Sequence, residues 1–298
     1  MKVNVFGSTS FTGTAFIEAL VEWDGCSGVF SYSRDFLCSN QLDMSLAKDF
    51  SPASGLDPSV WVAFAPIWIF APFFSDFARD KNNLPSLVNG VIACSSSSAL
   101  TKRFAANDFD RALVARLISA EDQLLATCRR LDVPCRILRP SLIYGQIGPY
   151  GDRNLSRLLA LMRRLPLVLL PSLSGLRQPI HASQLAAVAL QLAQQMLGPG
   201  LDPALPERIA LGGDSQISYK AMLQALQQAL PANDPARHCR ICEIPNRLFF
   251  LLAAPLLLRS PKAFEAVLRI GADLAGFTPS HQLLNQPPQP FPVLPLAL

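Results

Sequence analysis

The stretch with the clearest chemical use is Gly7-Ser8-Thr9-Ser10-Phe11-Thr12-Gly13. Glycines at both ends, with small hydroxyl residues between them, let a backbone turn tightly and approach a ligand closely. The run Lys2 to Phe6 before it reads as a strand. Ala15, Phe16, Ala19 and Leu20 after it have the spacing of one helix face. Strand, glycine loop and helix form the opening unit of a dinucleotide-binding fold, in which the helix start offers N–H groups and a positive dipole end to a pyrophosphate. The pattern is G-x-x-G-x-x-G, with Gly7 first, Ser10 in the middle glycine's place and Gly13 last. A serine there is small, but its Cβ restricts the backbone and narrows the space for phosphate.

The other end of such a ligand falls on later segments. Gly28 to Arg34 reads as the second strand, and its tip should face the adenosine ribose. An acidic residue there accepts from the 2′-hydroxyl, whereas an arginine suits a 2′-phosphate. No acid precedes Arg34, although Asp35 follows it, so Arg34 with Ser33 tilts the choice toward NADP(H) over NAD(H). Gln41 to Met44 reads as a short third strand, with Asp43 placed to bind an adenine amino group. Val60 to Pro66 is a buried fourth strand, after which Ala65-Pro66 turns the chain across the nicotinamide-ribose position.

The supporting elements continue the alternation. Ile67 to Phe74 could open a helix or form a lid. Gly90 to Cys94 is a fifth strand entering Ser95-Ser96-Ser97-Ser98, and Asp110 to Leu131 has helical spacing, with Asn107, Asp108 and Asp110 as possible caps. Val133 to Ile143 reads as a sixth strand closing at Tyr144. Strand alternating with helix predicts an α/β fold, a Rossmann-type doubly wound parallel sheet with a smaller C-terminal substrate lobe. The expected division is a dinucleotide-binding domain over 1–145, rejoined by about 177–213 through a strand at Arg208 to Gly213. The lobe takes 146–176 and 214–298, including helices near Asn154 to Leu165 and Tyr219 to Leu230. The tail, Gln286 to Pro292, is proline-rich and should be extended.

Bulk properties narrow the classes. The chain has 298 residues, 50% hydrophobic and 16% charged, with a net charge of +4. Its arginines are scattered, which leaves no nucleic-acid footprint. Leu248 to Leu258 is the longest apolar run, interrupted by Pro255 and shorter than the roughly 20 residues a bilayer requires. No transmembrane segment is expected, although 248–258 could meet a membrane surface or a protein partner. Met1-Lys2 leads straight into a strand, and the seven cysteines (Cys26, Cys38, Cys94, Cys128, Cys135, Cys239, Cys242) lack framework spacing, so reduced thiols and a cytoplasmic setting are expected. Cys239 and Cys242 form a C-x-x-C beside His238, but no second ligand pair accompanies them, and no metal site is expected.

Together these segments resemble an atypical branch of the extended short-chain dehydrogenase/reductases, the NAD-dependent epimerase/dehydratase superfamily. The resemblance covers nearly the whole chain: the Gly7–Gly13 loop, Asp43, Ala65-Pro66, the serine run, Arg139 to Gly145, Arg177 to His181, and Leu211-Gly212-Gly213. It implies NAD(P) in a Rossmann domain and a lobe over a small polar substrate, commonly a nucleotide-linked sugar. It also implies a serine after the fifth strand, best matched by Ser97, and a Tyr-x-x-x-Lys pair that moves a proton while hydride moves at nicotinamide C4. The pair is absent. The tyrosines are Tyr32, Tyr144, Tyr150 and Tyr219, followed four positions on by Phe36, Gly148, Asn154 and Leu223, and alignment on Glu121 puts Leu113 and Leu117 in the pair's place.

Three residues could replace it: Tyr144 at a strand end, Lys102 past the serine run, and His181, which can titrate near neutrality. Arg139 and Arg177 could grip a diphosphate or tie lobe to core. Two functions follow. One is an NAD(P)-dependent oxidoreductase or epimerase-like enzyme with a non-standard active site; the other is a catalytically silent NAD(P)-binding protein serving assembly or sensing.

Overall fold

Lys2–Phe6 forms β1, buried from Val3 to Phe6, and Phe11–Val21 forms α1. On one side of β1 lies β2 (Gly28–Ser33), followed outward by β3 (Asn40–Gln41). On the other lie β4 (Ser59–Ala63) and then β5 (Val88–Cys94), with α2 (Ile67–Arg79) joining this half. Next come α3 (Asp108–Arg130), β6 (Cys135–Pro140), α4 (Ala182–Gln195) and β7 (Arg208–Gly212). The strands pair in parallel in the order β7-β6-β5-β4-β1-β2-β3. The order reverses between β1 and β4, so their carboxyl ends open a crevice there.

A computed structural model describes residues 1–34, 40–45, 50–53, 57–79, 87–198 and 202–296. Asp35 and Cys38 lie outside the described residues. The chain forms two units. The first is Met1–Ala99, Ala115–Pro140 and Ala182–Leu211, and the second is Leu100–Val114, Ser141–His181 and Gly212–Leu298.

In the first unit, strands covered on both faces must be apolar, and Asn4 is the exception among the buried residues of β1. Its side chain donates to Ser59 Oγ at 2.8 Å and accepts from the Tyr32 hydroxyl at 3.0 Å, so the buried amide is satisfied. Phe6 sits in an aromatic cluster, its ring centroid 4.9 Å from Trp61, 5.0 Å from Tyr32 and 5.2 Å from Phe70. Phe70, Phe73 and Phe77 reach that cluster from α2, which settles 67–74 as part of a helix with one buried aromatic side. On α3, Glu121 is fully buried and accepts from Ser95 Oγ at 2.5 Å, from Arg139 Nε at 3.0 Å and from Arg208 Nε at 3.1 Å. One carboxylate thereby ties a helix to β5, β6 and β7.

Two strand expectations need correction. The third strand stops at Gln41, because Asp43 turns the chain by accepting from Ser45 N at 2.9 Å. The sixth begins at Cys135, after a turn at Asp132 (φ 55°), and ends at Pro140. Beyond it, Leu142 accepts from Ile180 N at 2.9 Å, and Ile143–Tyr144 pairs with Ile180–His181 in a separate parallel ladder. Tyr144 therefore belongs to that ladder and not to β6.

In the second unit, Leu155, Leu159 and Met162 from helix Asn154–Arg164 meet Met222, Leu223 and Leu226 from helix Tyr219–Ala229. Strand Leu167–Pro171 pairs in parallel with Arg240–Ile244, which carries Cys242. The tail is held in place: Gln289 N donates to Asp214 Oδ2 at 2.9 Å, and Phe291 N to Ser215 Oγ at 3.0 Å. Among the described residues, no helix is long and apolar enough to cross a membrane.

Glu121→Gln should cost about 3 kcal/mol of stability, because it leaves Arg139 and Arg208 without their shared carboxylate in a buried setting. Urea unfolding of the variant beside the wild type measures it.

Candidate functional site

The loop after β1 is built by backbone contacts. Gly7 has φ +77°, and a Cβ placed on it would lie 2.5 Å from the Ala65 nitrogen. The carbonyl of Phe6 accepts from Phe64 N at 2.8 Å and Ala65 N at 3.1 Å. The exit of β4 is thus hooked onto the end of β1, which places Ala65-Pro66 against the glycine loop. Gly7 N and Ser8 N both donate to the Tyr32 carbonyl, at 2.9 and 3.2 Å, which draws in the end of β2.

Ser10 caps α1. Its Oγ accepts from Gly13 N at 3.1 Å and donates to the Gly7 carbonyl at 2.7 Å. The serine in the middle glycine's place therefore turns its hydroxyl into the loop itself. The amides of Phe11 and Thr12 open the helix, where helical geometry provides no carbonyl for them. Gly13 is needed for closeness, since a Cβ there would lie 2.3 Å from the Gly7 oxygen.

These segments border a cavity of about 550 Å³, a size suited to a cofactor. Gly7, Thr9, Ser10, Arg34, Asp43, Ala65 and Pro66 line it, as do Ser33, Met44, Ser45, Phe64, Trp68, Ile69 and Pro72. Ser8, Phe11, Thr12 and Gly13 do not. Ser8 is buried, with its hydroxyl 3.3 Å from the Tyr32 carbonyl, and the other three form the first turn of α1. The Thr9 and Ser33 hydroxyls meet at 2.5 Å beside Arg34. Asp43 is held below the usual carboxylate range by hydrogen bonds from the Ser45 backbone and hydroxyl, with a smaller contribution from the Arg34 charge.

The apolar wall was missed from sequence, although it has a signal. Trp68, Ile69 and Pro72 share a helix face at i, i+1 and i+4, directly after the turn at Pro66. The Arg116 guanidinium lies over the Trp68 ring, 5.7 Å from its centroid. As Pro72 has no N–H, the Trp68 carbonyl loses its helical donor. The residues fit a nicotinamide dinucleotide: a close-approach glycine, a helix start for the pyrophosphate, a cation at the β2 tip and a wide apolar wall.

The proposed acid/base residues Tyr144, His181 and Lys102 belong to the second unit. Tyr144 and His181 come together in the second unit, their rings edge to face at 5.2 Å, both buried. The Tyr144 hydroxyl accepts from Val293 N at 2.8 Å, and burial raises its pKa above the usual phenol range. His181 Nε2 lies 3.2 Å from the Pro295 carbonyl. Burial lowers the His181 pKa, against that carbonyl's opposing effect. Lys102 is paired with buried Asp110 at 2.8 Å. Burial alone would raise the Asp110 pKa, but Lys102, Arg269 and Asn107 all donate to its carboxylate and hold it low.

Ser97 belongs to the first unit, and its N–H donates to the Pro140 carbonyl at 3.0 Å. Arg139 is spent on Glu121. Arg177 donates to the Leu176 and Ala272 carbonyls at 2.7 Å each and stacks on Tyr219, 5.0 Å from its ring centroid. Among the described residues, no cluster of three or more His, Cys, Asp or Glu is arranged to hold a metal.

No family model matches the chain, and no curated relative does. Solved structures do. The UDP-glucuronic acid 4-epimerase of Bacillus cereus, in complex with UDP-glucuronic acid and NAD, is 14% identical with a TM-score of 0.62, over 97% of this chain and 94% of that one. The UDP-N-acetylglucosamine 4-epimerase of Bacillus cereus is 14% identical with a TM-score of 0.58, over 82% and 85%. The GDP-mannoheptose C4 reductase of Campylobacter jejuni with NADP bound is 14% identical with a TM-score of 0.57, over 82% and 87%. The likeness is one of fold, a Rossmann-type α/β architecture.

Three outcomes follow. Ser10→Ala should cost about 1 kcal/mol and Ser10→Gly only a few tenths, because glycine tolerates the cap position and alanine does not. Gly7→Ala should cost about 2 kcal/mol or more, from its φ and the Ala65 backbone together. His181 is held neutral by the fold, so its contribution is complete above its unfolded pKa of about 6.5 and is lost as pH falls through the lower folded value. The denaturation midpoint should therefore fall from about pH 7 to about pH 5, with a shallower slope in His181→Gln.

Proposed function

We propose that the first unit binds a nicotinamide dinucleotide, NADP(H) in preference to NAD(H). We further propose that the chain is an oxidoreductase or epimerase-like protein of non-standard active site, acting on a small polar substrate such as a nucleotide sugar. The observation that carries the binding is the cavity at the β1/β4 reversal, bordered by a self-capped glycine loop and by Arg34. In this reading Gly7 and Ser10, at the loop that leads into the start of α1, cradle the pyrophosphate. Arg34, with the Thr9 and Ser33 hydroxyls, meets a 2′-phosphate. Asp43 accepts from the adenine amino group, and Phe64, Trp68 and Ile69 exclude water. The dinucleotide supplies hydride transfer at nicotinamide C4. Ser97 is the hydroxyl assigned to the reacting carbon. The epimerase and reductase structures of the same fold, with NAD or NADP in two of them, support this class of chemistry.

A second reading, a catalytically silent NAD(P)-binding protein, is favoured by one observation. The titratable residues among those lining the cavity are Arg34 and Asp43, whereas Tyr144, His181 and Lys102 each have a partner within the second unit. The two readings share the binding step and differ in turnover.

At a hundredfold excess over Kd, NADP(H) should raise the melting temperature by about 5 °C. Arg34→Ala should weaken NADP(H) about tenfold or more while sparing NAD(H). Failure of every oxidised and reduced coenzyme to shift melting would sink both readings. Nicotinamide absorbance changing with a nucleotide sugar, and lost in Ser97→Ala, supports the enzyme; absorbance unchanged with all of them supports the silent protein.

A further inference from the structure

The second unit leaves one apolar helix face uncovered. Helix Asn246–Ala253 buries Phe249 and Ala253, while Leu248, Leu251 and Leu252 stand on its other side at i, i+3 and i+4. Leu251 is 69% exposed. Exposed leucines continue on either side. Leu173, 72% exposed, donates its N–H to Asn246 Oδ1 at 3.1 Å, and Leu258, in the next short helix, is 94% exposed. Single exposed leucines are ordinary on a protein surface, but a cluster marks an interaction site.

Charge says which partner fits. From Asn246 to Phe264 the chain carries Arg247, Arg259 and Lys262 and no Asp or Glu. Arg247 and Lys262 are exposed. The nearest carboxylates in sequence are engaged, Glu243 by Lys220 at 2.7 Å and Glu265 by Arg269 at 3.3 Å. Cations beside exposed leucines match anionic headgroups above acyl chains. A second copy of this chain docked symmetrically would bring the same cations face to face. We infer that this face docks the chain on an anionic phospholipid surface, with the leucines at the acyl boundary and Arg247 and Lys262 on headgroup phosphates. The attachment is interfacial, since the helices here are short.

Vesicle co-sedimentation of the full chain tests this, with phosphatidylcholine alone and with about 30% phosphatidylglycerol added. Binding should be about tenfold or more tighter on the anionic vesicles, and should weaken between about 0.05 M and about 0.5 M salt. Leu251→Glu with Leu258→Glu should abolish it, while Arg247→Glu with Lys262→Glu should erase the preference for the anionic lipid. A cooperative thermal transition like that of the wild type shows that each variant is folded. The inference is overturned if the wild type binds neither vesicle, or binds both equally at every salt concentration. It is also overturned if the leucine changes convert a dimer into a monomer while vesicle binding persists.

Discussion

The carbonyl oxygen of Phe6 governs the geometry of the first unit. It accepts from two successive amides, Phe64 and Ala65, as the chain leaves β4, and that double hydrogen bond pins one strand exit to the next. Only a residue without a side chain can follow Phe6, because the space a Cβ would need at Gly7 is filled by the Ala65 backbone. The aromatic cluster beneath makes the contact rigid: Phe6 is wedged among Trp61, Tyr32 and Phe70, and cannot shift without disturbing β2, β4 and α2 together. The cavity exists because two loops are held at this fixed separation, each by its own strand.

Much of this was legible in the order of residues. The glycine loop, the parallel strands and the rejoining strand at Arg208 announce themselves through turn chemistry and periodicity, which are local properties. Arg34 and Asp43 were legible for the same reason, each lying next to a strand end. The role of Ser10 was not. A serine in a glycine position looks like an obstruction until its hydroxyl is seen to satisfy Gly13 N and the Gly7 carbonyl. Nor was the end of β6, where apolar residues run on through Ile143 but pairing passes to Ile180–His181. Strand partners are chosen by tertiary contacts, and an apolar run cannot reveal which neighbour it will take.

The ionisable groups that drew attention in sequence share one fate. Tyr144, His181, Lys102, Arg139 and Arg177 each complete a hydrogen-bond or ion-pair demand created by folding. A buried tyrosine needs a partner for its hydroxyl, and the tail amide of Val293 supplies one. Asp110 gathers Lys102, Arg269 and Asn107, so a buried carboxylate is matched by charge and by donors. The cavity itself is lined by short hydroxyl residues, by large apolar ones, and by Arg34 and Asp43.

Trp68 gives the cavity wall a property that none of its neighbours has. The chain contains only two other tryptophans, Trp23 and the core residue Trp61. An indole emits in the region where a dihydronicotinamide absorbs, so a reduced dinucleotide bound as proposed would dim Trp68, an optical gauge of occupancy built into the wall.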